Sequence, residues 1–434
     1  MRKFSLLMSL SLLSGASQAL TLEQSVAQAL NTHPRLMERY ASFEAKYRDR
    51  RGAFSDFLPQ IRLYAAYGYE EVGYDSGDEL DSDLDRRELG LTITQMLFDG
   101  FRTSNEVDRL DYEAKADQQG LISTAENLSL EVVQVYLDLI KAEKLVELSR
   151  KNVDLHQSIL DDINQRRKRG LSSDADVAQV ESRLATSESI LLVAMNNLLD
   201  IKVNYYDLVG VQAQNLVDPR PDYEFIPNRL DEAVNIAKQN HPEISAAIYD
   251  TNAAKKQMKR DKSGYYPRFD IEVDVNRNRN ISGAEGRDEN GRVMLTMTYD
   301  LFNGGRTRAE SEASAWRYQE SLAVKDNTFL EVEEATNFAW NAYVFLGKQK
   351  EFYQKNVHFA EIAQKGYDTQ FELGRRSLLD VLDSQIELFS ARRNYIEADF
   401  DQREAKYRLI NATGRLIEAL RVTTPSVWRL KEDD

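Results

Sequence analysis

Apolar positions along this chain switch period twice, and the same two switches then recur in the same order. In IRLYAAYGY, Ile61, Leu63, Ala65, Tyr67 and Tyr69 alternate with Arg62, Tyr64, Ala66 and Gly68. FDIEVDVN sets Phe269, Ile271, Val273 and Val275 against Asp270, Glu272, Asp274 and Asn276, apolar on one face and acidic on the other. That period of two predicts half-buried strands. Return strands are predicted over LGLTITQMLF (residues 89–98) and VMLTMTYDLF (residues 293–302), each about the length that crosses a bilayer at a tilt. Asp/Gly-rich loops at Asp75 to Asp85 and Ile281 to Gly291 are expected to join them, giving hairpins over residues 60–98 and 268–302. The period then lengthens to helical spacing, as in Leu128, Val132, Val135 and Leu139. Helices are predicted over residues 101–169 and 172–209, and over 307–373 and 377–413. The longer ones would reach ~100 Å at 1.5 Å per residue. Long antiparallel pairs of this kind imply coiled-coil packing.

The recurrence is a tandem duplication. TLEQSVAQALNTHP resembles RLDEAVNIAKQNHP, so Pro34 falls on Pro242 at an offset of 208, as Pro59 falls on Pro267. LFDGFRT resembles LFNGGRT at an offset of 204, which then carries Gly170 onto Gly374, Asp176 onto Asp380 and Gly210 onto Gly414. The expected organisation is a first repeat over residues 20–217, a Pro-rich connector over 218–228, a second repeat over 229–422 and a tail over 423–434. His33 and His241 close short amphipathic helices and read as structural.

Composition narrows the function. MRKFSLLMSLSLLSGASQA has a basic start, a short apolar core and a small-residue cleavage site, and predicts a signal peptide over residues 1–19. There is no cysteine, which excludes disulfide and thiol chemistry. A net charge of −15 argues against nucleic acid as a partner. No later window is apolar enough for a spanning helix, so a membrane span must be a closed β-barrel. Four strands are too few to close one, so several chains would have to share it. Tyrosines such as Tyr67, Tyr69 and Tyr74 fit an interface belt. The rival reading, a periplasmic coiled-coil scaffold, leaves the amphipathic strands unexplained.

LLDVLDSQ places Asp380 and Asp383 one helical turn apart among apolar neighbours. From the residues alone this is a solvated face beside a turn. No histidine lies nearby in sequence to make a metal site, and no nucleophile accompanies the acids for catalysis. Asp176, the first-repeat equivalent of Asp380, is followed by Gln179 where the second repeat has Asp383, so the acid pair belongs to one repeat.

The signal peptide, the duplication, the paired His-Pro and strand-initiating prolines, the LFDG and LFNGGRT turns and LLDVLDSQ together resemble the TolC family of outer-membrane channels. The likeness covers essentially the whole mature chain. It implies an α+β membrane protein: a homotrimer sharing one 12-stranded outer-membrane β-barrel, four strands per chain, continued by a hollow α-helical barrel across the periplasm. It implies a pore constriction at Asp380 and Asp383. It implies a gate held by ionic links, for which Arg376 and Asp176 match by motif position. Phe371 stands where the family has a tyrosine, without that hydroxyl. The tip turns with Gly170, Leu171 and Ser172, and with Gly374, Arg375 and Ser377, are where a periplasmic adaptor would dock. The implied role is a passive duct with no reaction and no cofactor, serving an inner-membrane ABC transporter or other pump. The acidic loop, the LFNGGRT turn and the lack of an acylated cysteine incline the resemblance to type I secretion of an adhesin-like protein. Multidrug or metal efflux is the alternative.

Overall fold

The structure is a computed structural model that describes residues 20–72 and 82–429. The expected signal peptide, most of the first hairpin loop and the end of the tail lie outside the described residues. Contacts divide the chain into two compact units, and α-helices α3 (Arg102–Lys168) and α7 (Arg306–Glu372) contribute to both.

The first unit holds Glu38–Ile122 and Pro242–Glu331. Most of helix α2 (Pro34–Phe54) leads into β1 (Gln60–Val72) and β2 (Ser82–Phe98). Helix α6 (Pro242–Arg260) leads into β3 (Arg268–Ile281) and β4 (Ala284–Thr298). The strands form one antiparallel sheet in the order β1-β2-β3-β4, so the β2–β3 ladder joins the two repeats. Its register brings the predicted apolar positions into continuous cross-strand rows. Ile61 faces Ile93, which faces Val273, which faces Val293; Leu63 faces Leu91, which faces Val275. Ile61, Leu63, Val275 and Val293 are all exposed. The opposite face carries Asp274, which accepts from the Thr92 hydroxyl at 2.8 Å and from Arg292 Nε at 2.9 Å.

Two strands depart from the sequence expectation. β4 starts at Ala284 and ends at Thr298, where the pattern predicts 293–302, and β2 starts at Ser82. The expected loop at Ile281 to Gly291 shrinks to a turn at Ser282 and Gly283, both with positive φ. Apolar alternation marks only the part of a strand that has an apolar neighbour. Beyond it the hairpin is polar on both faces and is held by cross-strand pairs such as Arg277–Glu289 at 3.0 Å.

The LFDGFRT junction ends β2 and starts α3. Asp99 Oδ2 accepts from the backbone N–H and the hydroxyl of Thr103, capping the helix. Gly100 has φ +67, and a Cβ there would lie 2.7 Å from the Ser263 carbonyl. This glycine is required both by conformation and by close approach.

The second unit gathers the chain up to Met37 with Ser123–His241 and Val332–Val427. Helix α1 (Leu22–Thr32) begins on a Thr21/Gln24 capping box. Helices α4 (Asp174–Val209), α5 (Leu230–Asn240) and α8 (Leu378–Ala412) follow. The buried Tyr136 hydroxyl lies 2.8 Å from the carbonyls of Leu20 and Val217, tying both ends of the first repeat to α3. Glu126 on α3 is buried and accepts from the N–H groups of Leu416 (2.9 Å) and Ile417 (3.3 Å) at the start of α9 (Leu416–Ala419).

Burial pushes the Glu126 carboxyl up to about 7, against backbone donors that pull it down. A carboxyl raised above its unfolded value favours folding while protonated, and that contribution is lost as pH rises through the folded pKa. The melting temperature should therefore rise between pH 8 and pH 6, by about 1 kcal/mol of stability from this one group. Glu126→Gln should flatten that dependence and melt above the parent at pH 8. An unchanged pH profile in the variant would refute this role.

Candidate functional site at the helix tips

The α3–α4 and α7–α8 pairs end in two turns built the same way. α3 stops at Gly170 (φ +71), with Leu171 N–H bonded to the Arg166 carbonyl at 2.9 Å and Gly170 N–H to Arg167. α7 stops at Gly374 (φ +71), with Arg375 N–H on Gln370 at 2.8 Å and Gly374 N–H on Phe371. These are left-handed glycine caps that satisfy the last carbonyls of a helix. Three residues on, Ser173 and Ser377 cap α4 and α8, and the N3 residues that close the two capping boxes are Asp176 and Asp380.

This geometry separates the two acids of LLDVLDSQ. Asp380 Oδ2 accepts from the Ser377 N–H (3.1 Å) and hydroxyl (2.8 Å), and Arg376 Nη1 lies 3.7 Å from its other oxygen. The Ser377 bonds, then Arg376, hold its carboxyl below the usual carboxylate range. Asp383 projects one turn further on and takes Arg183 Nη2 of α4 at 3.1 Å, with its side chain 58% exposed. So the pair has a local cause: one acid caps its own helix, and the other bridges to α4.

The sequence expectation of an Arg376–Asp176 link is not met within one chain. Arg376 donates its Nε to Gln370 Oε1 at 3.0 Å and lies 4.6 Å from the Tyr367 ring. Asp176 Oδ2 is held by the Ser173 N–H (2.8 Å) and hydroxyl (2.9 Å). Phe371 packs against an apolar cluster of Ile163, Val177, Val180, Leu378 and Leu382, where α3, α4 and α8 meet. The Arg166 guanidinium lies 4.9 Å from its ring. Leu171 and Leu373 are exposed at the turns, with Ser172 half-buried and Arg375 and Ser377 exposed.

Arg183 and His156 are absent from the sequence reading. At the offset of 204, Asp383 falls on Gln179 and Arg183 falls on Glu387. The repeats thus differ in charge at this level, and that difference was the available signal for Arg183. His156 on α3 is buried, and burial, then the charge of Arg183, lowers its basicity. Among the described residues no cluster of His, Asp and Glu could hold a metal ion, and no helix is long and apolar enough to cross a membrane.

A model of the outer membrane efflux protein family matches residues 25–211 and again residues 233–415, one match per repeat. The chain is 26% identical over 329 residues to the outer membrane efflux protein BepC of Brucella suis, covering 76% of this chain and 72% of that one. It is 23% identical over 422 residues to the outer membrane protein TolC of Vibrio cholerae, covering 94% and 93%. It is 23% identical over 432 residues to the proteases secretion protein PrtF of Dickeya chrysanthemi, covering 94% and 91%. Among solved structures, the outer membrane protein VceC of Vibrio cholerae superposes with a TM-score of 0.77 at 19% identity, over 93% of this chain and 97% of that one. The duplicated family match, the four-stranded sheet between long helices and the apolar sheet face agree. The chain belongs to the outer membrane efflux protein family, as a TolC-type transport protein of the Gram-negative outer membrane that extends into the periplasm and not an enzyme.

Proposed function

We propose that three copies of this chain form one exit duct, with a shared 12-stranded barrel in the outer membrane and helices enclosing a periplasmic passage. The observation that carries this reading is the open sheet. One apolar row, Ile61–Ile93–Val273–Val293, runs across all four strands, and β1 and β4 are both edges within one chain. Lipid cannot satisfy the backbone groups of such edges, whereas neighbouring copies can. The acidic face, with Asp270, Glu272 and Asp274, would then line the lumen.

At the helix tips, Asp380 and Asp383 form the constriction, six carboxylates in a trimer. Arg376 reaches Asp176 of a neighbouring copy when the gate is shut, and Phe371 supports the tip by packing. The turns at Gly170, Leu171 and Ser172 and at Gly374, Arg375 and Ser377 dock a periplasmic adaptor, which couples the duct to an inner-membrane ABC transporter. The cargo is a protein, adhesin-like, delivered by type I secretion; the likeness to a proteases secretion protein supports this. The likeness to the efflux protein BepC favours a second reading, export of small molecules by an efflux pump.

Arg376→Ser tests the gate. Losing three exposed links worth ~0.5 kcal/mol each should shift the closed–open balance about tenfold, seen as higher conductance in a planar bilayer. Unchanged conductance would remove Arg376 from the gate. Mass spectrometry of the culture supernatant with and without the gene separates the cargoes. Loss of one large secreted protein supports type I secretion, and an unchanged set with raised drug sensitivity supports efflux.

A further inference from the structure

The connector between the repeats forms one wall of a cleft of about 430 Å³, with α7 and α8 forming the other. Pro219 and Pro221 are buried and restrict the backbone of the connector wall. On the helical wall Asp399 is fully engaged, with Lys350 Nζ at 2.6 Å and Arg403 Nη2 at 2.7 Å. The other Arg403 nitrogen bonds Asp218, which also has Lys144 Nζ at 3.4 Å.

Lys406 is different. It is 7% exposed, yet among the described residues its ammonium has no carboxylate within ion-pair distance. It donates only to the neutral Tyr223 hydroxyl at 3.2 Å and lies 4.9 Å from that ring. Arg220 lines the same cleft, is exposed, and makes no ion pair among the described residues. The lining therefore sets four cations, Arg220, Lys350, Arg403 and Lys406, against two anions, Asp218 and Asp399. A buried ammonium without a counter-charge is costly, and the residues around it leave that cost standing.

We infer that this cleft is a binding site for a phosphate-class oxyanion, held by Lys406 from within and Arg220 at the mouth. Both cations match such an anion: an ammonium binds it as a point charge and a guanidinium as a fork. The volume exceeds that of one phosphate group and falls in the range of small-molecule sites, so a phosphate monoester fits, its carbon chain against Tyr223 and the prolines. This inference is independent of the duct reading, since it concerns a cleft built by residues of one chain.

The test is calorimetric titration of the full chain in detergent, at constant ionic strength in chloride. Inorganic phosphate and glycerol 1-phosphate are the two probes. Saturable binding of either supports the inference, and the tighter probe shows whether free phosphate or a monoester is the source. Lys406→Met should abolish binding without lowering the circular dichroism melt, because it removes a buried unpaired charge. Arg220→Ala, at an exposed position, should weaken binding about tenfold. Absence of saturable heat with both probes overturns the inference, as does binding that survives Lys406→Met.

Discussion

Phe345→Glu combined with Phe352→Glu should yield a folded chain that no longer gives a heat-sensitive trimer band in outer-membrane fractions. The reason lies in an apolar stripe with nothing on it. Along α7, Phe338, Phe345, Phe352 and Phe359 recur every seven residues, and they are 59%, 65%, 69% and 65% exposed. On α4, Leu192, Leu199 and Tyr206 recur at the same interval, also exposed. A seven-residue apolar repeat is the seam of a helix that packs on another helix. Exposure of such a seam along several turns marks an interface. Among the described residues the cover is incidental: Lys348 Nζ lies 5.6 Å from the Phe345 ring, Lys355 Nζ 5.5 Å from the Phe352 ring and the His358 ring 5.3 Å from that of Phe359.

Burying one phenylalanine contributes ~2 kcal/mol, and a glutamate at the same place adds a desolvation cost. Two substitutions in each of three chains exceed what the remaining contacts can offset, while the monomer loses nothing it had buried. Gln354→Glu is the control, since it adds the same charge two residues from Phe352 on another face of α7. A normal trimer in the double variant would mean that the phenylalanine stripe faces solvent or lipid, and the assembly would need another seam.

The parts of this fold visible in the sequence are those with a strong local cause. Gly170 and Gly374 end their helices because a left-handed residue is needed there, so both helix ends fall within a residue or two of the predicted ones. The duplication was legible because two copies of one pattern confirm each other. The strand extensions were hidden, since Arg277, Glu289 and their neighbours stabilise the hairpin by pairing across strands, which leaves no periodic trace in either strand. Asp380 could have been read as a cap from Ser-Leu-Leu-Asp, the pattern that Ser-Asp-Ala-Asp shows in the first repeat. Partnership between Asp383 and Arg183 is a contact across 200 positions, and only the differing charges of the two repeats hinted at it.

Asp380→Asn with Asp383→Asn should lower the cation-over-anion permeability ratio of the reconstituted channel about tenfold. An asparagine at Asp380 can still accept from the Ser377 N–H and hydroxyl, so the α8 cap survives and only the charge is lost. At Asp383 the amide oxygen can still accept from Arg183, so the bridge to α4 is weakened rather than removed. A trimer loses six carboxylates in this way. A unit charge about 5 Å from a hydrated ion is worth ~0.8 kcal/mol even at the dielectric of water, and several act together at a constriction. The single variants should differ. Asp380 lies 3.7 Å from Arg376 and is its only carboxylate among the described residues, so its neutralisation also leaves a cation uncompensated; its side chain is 39% exposed and its charge is held back by Ser377. Asp383 is likewise the only carboxylate paired with Arg183 among the described residues, but its side chain is 58% exposed and carries no cap bonds, so its charge is the more accessible to a passing ion. Asp383→Asn should therefore reduce cation preference more than Asp380→Asn. The opposite ranking would place Asp383 away from the passage, and an unchanged ratio in the double variant would remove both acids from the pore lining.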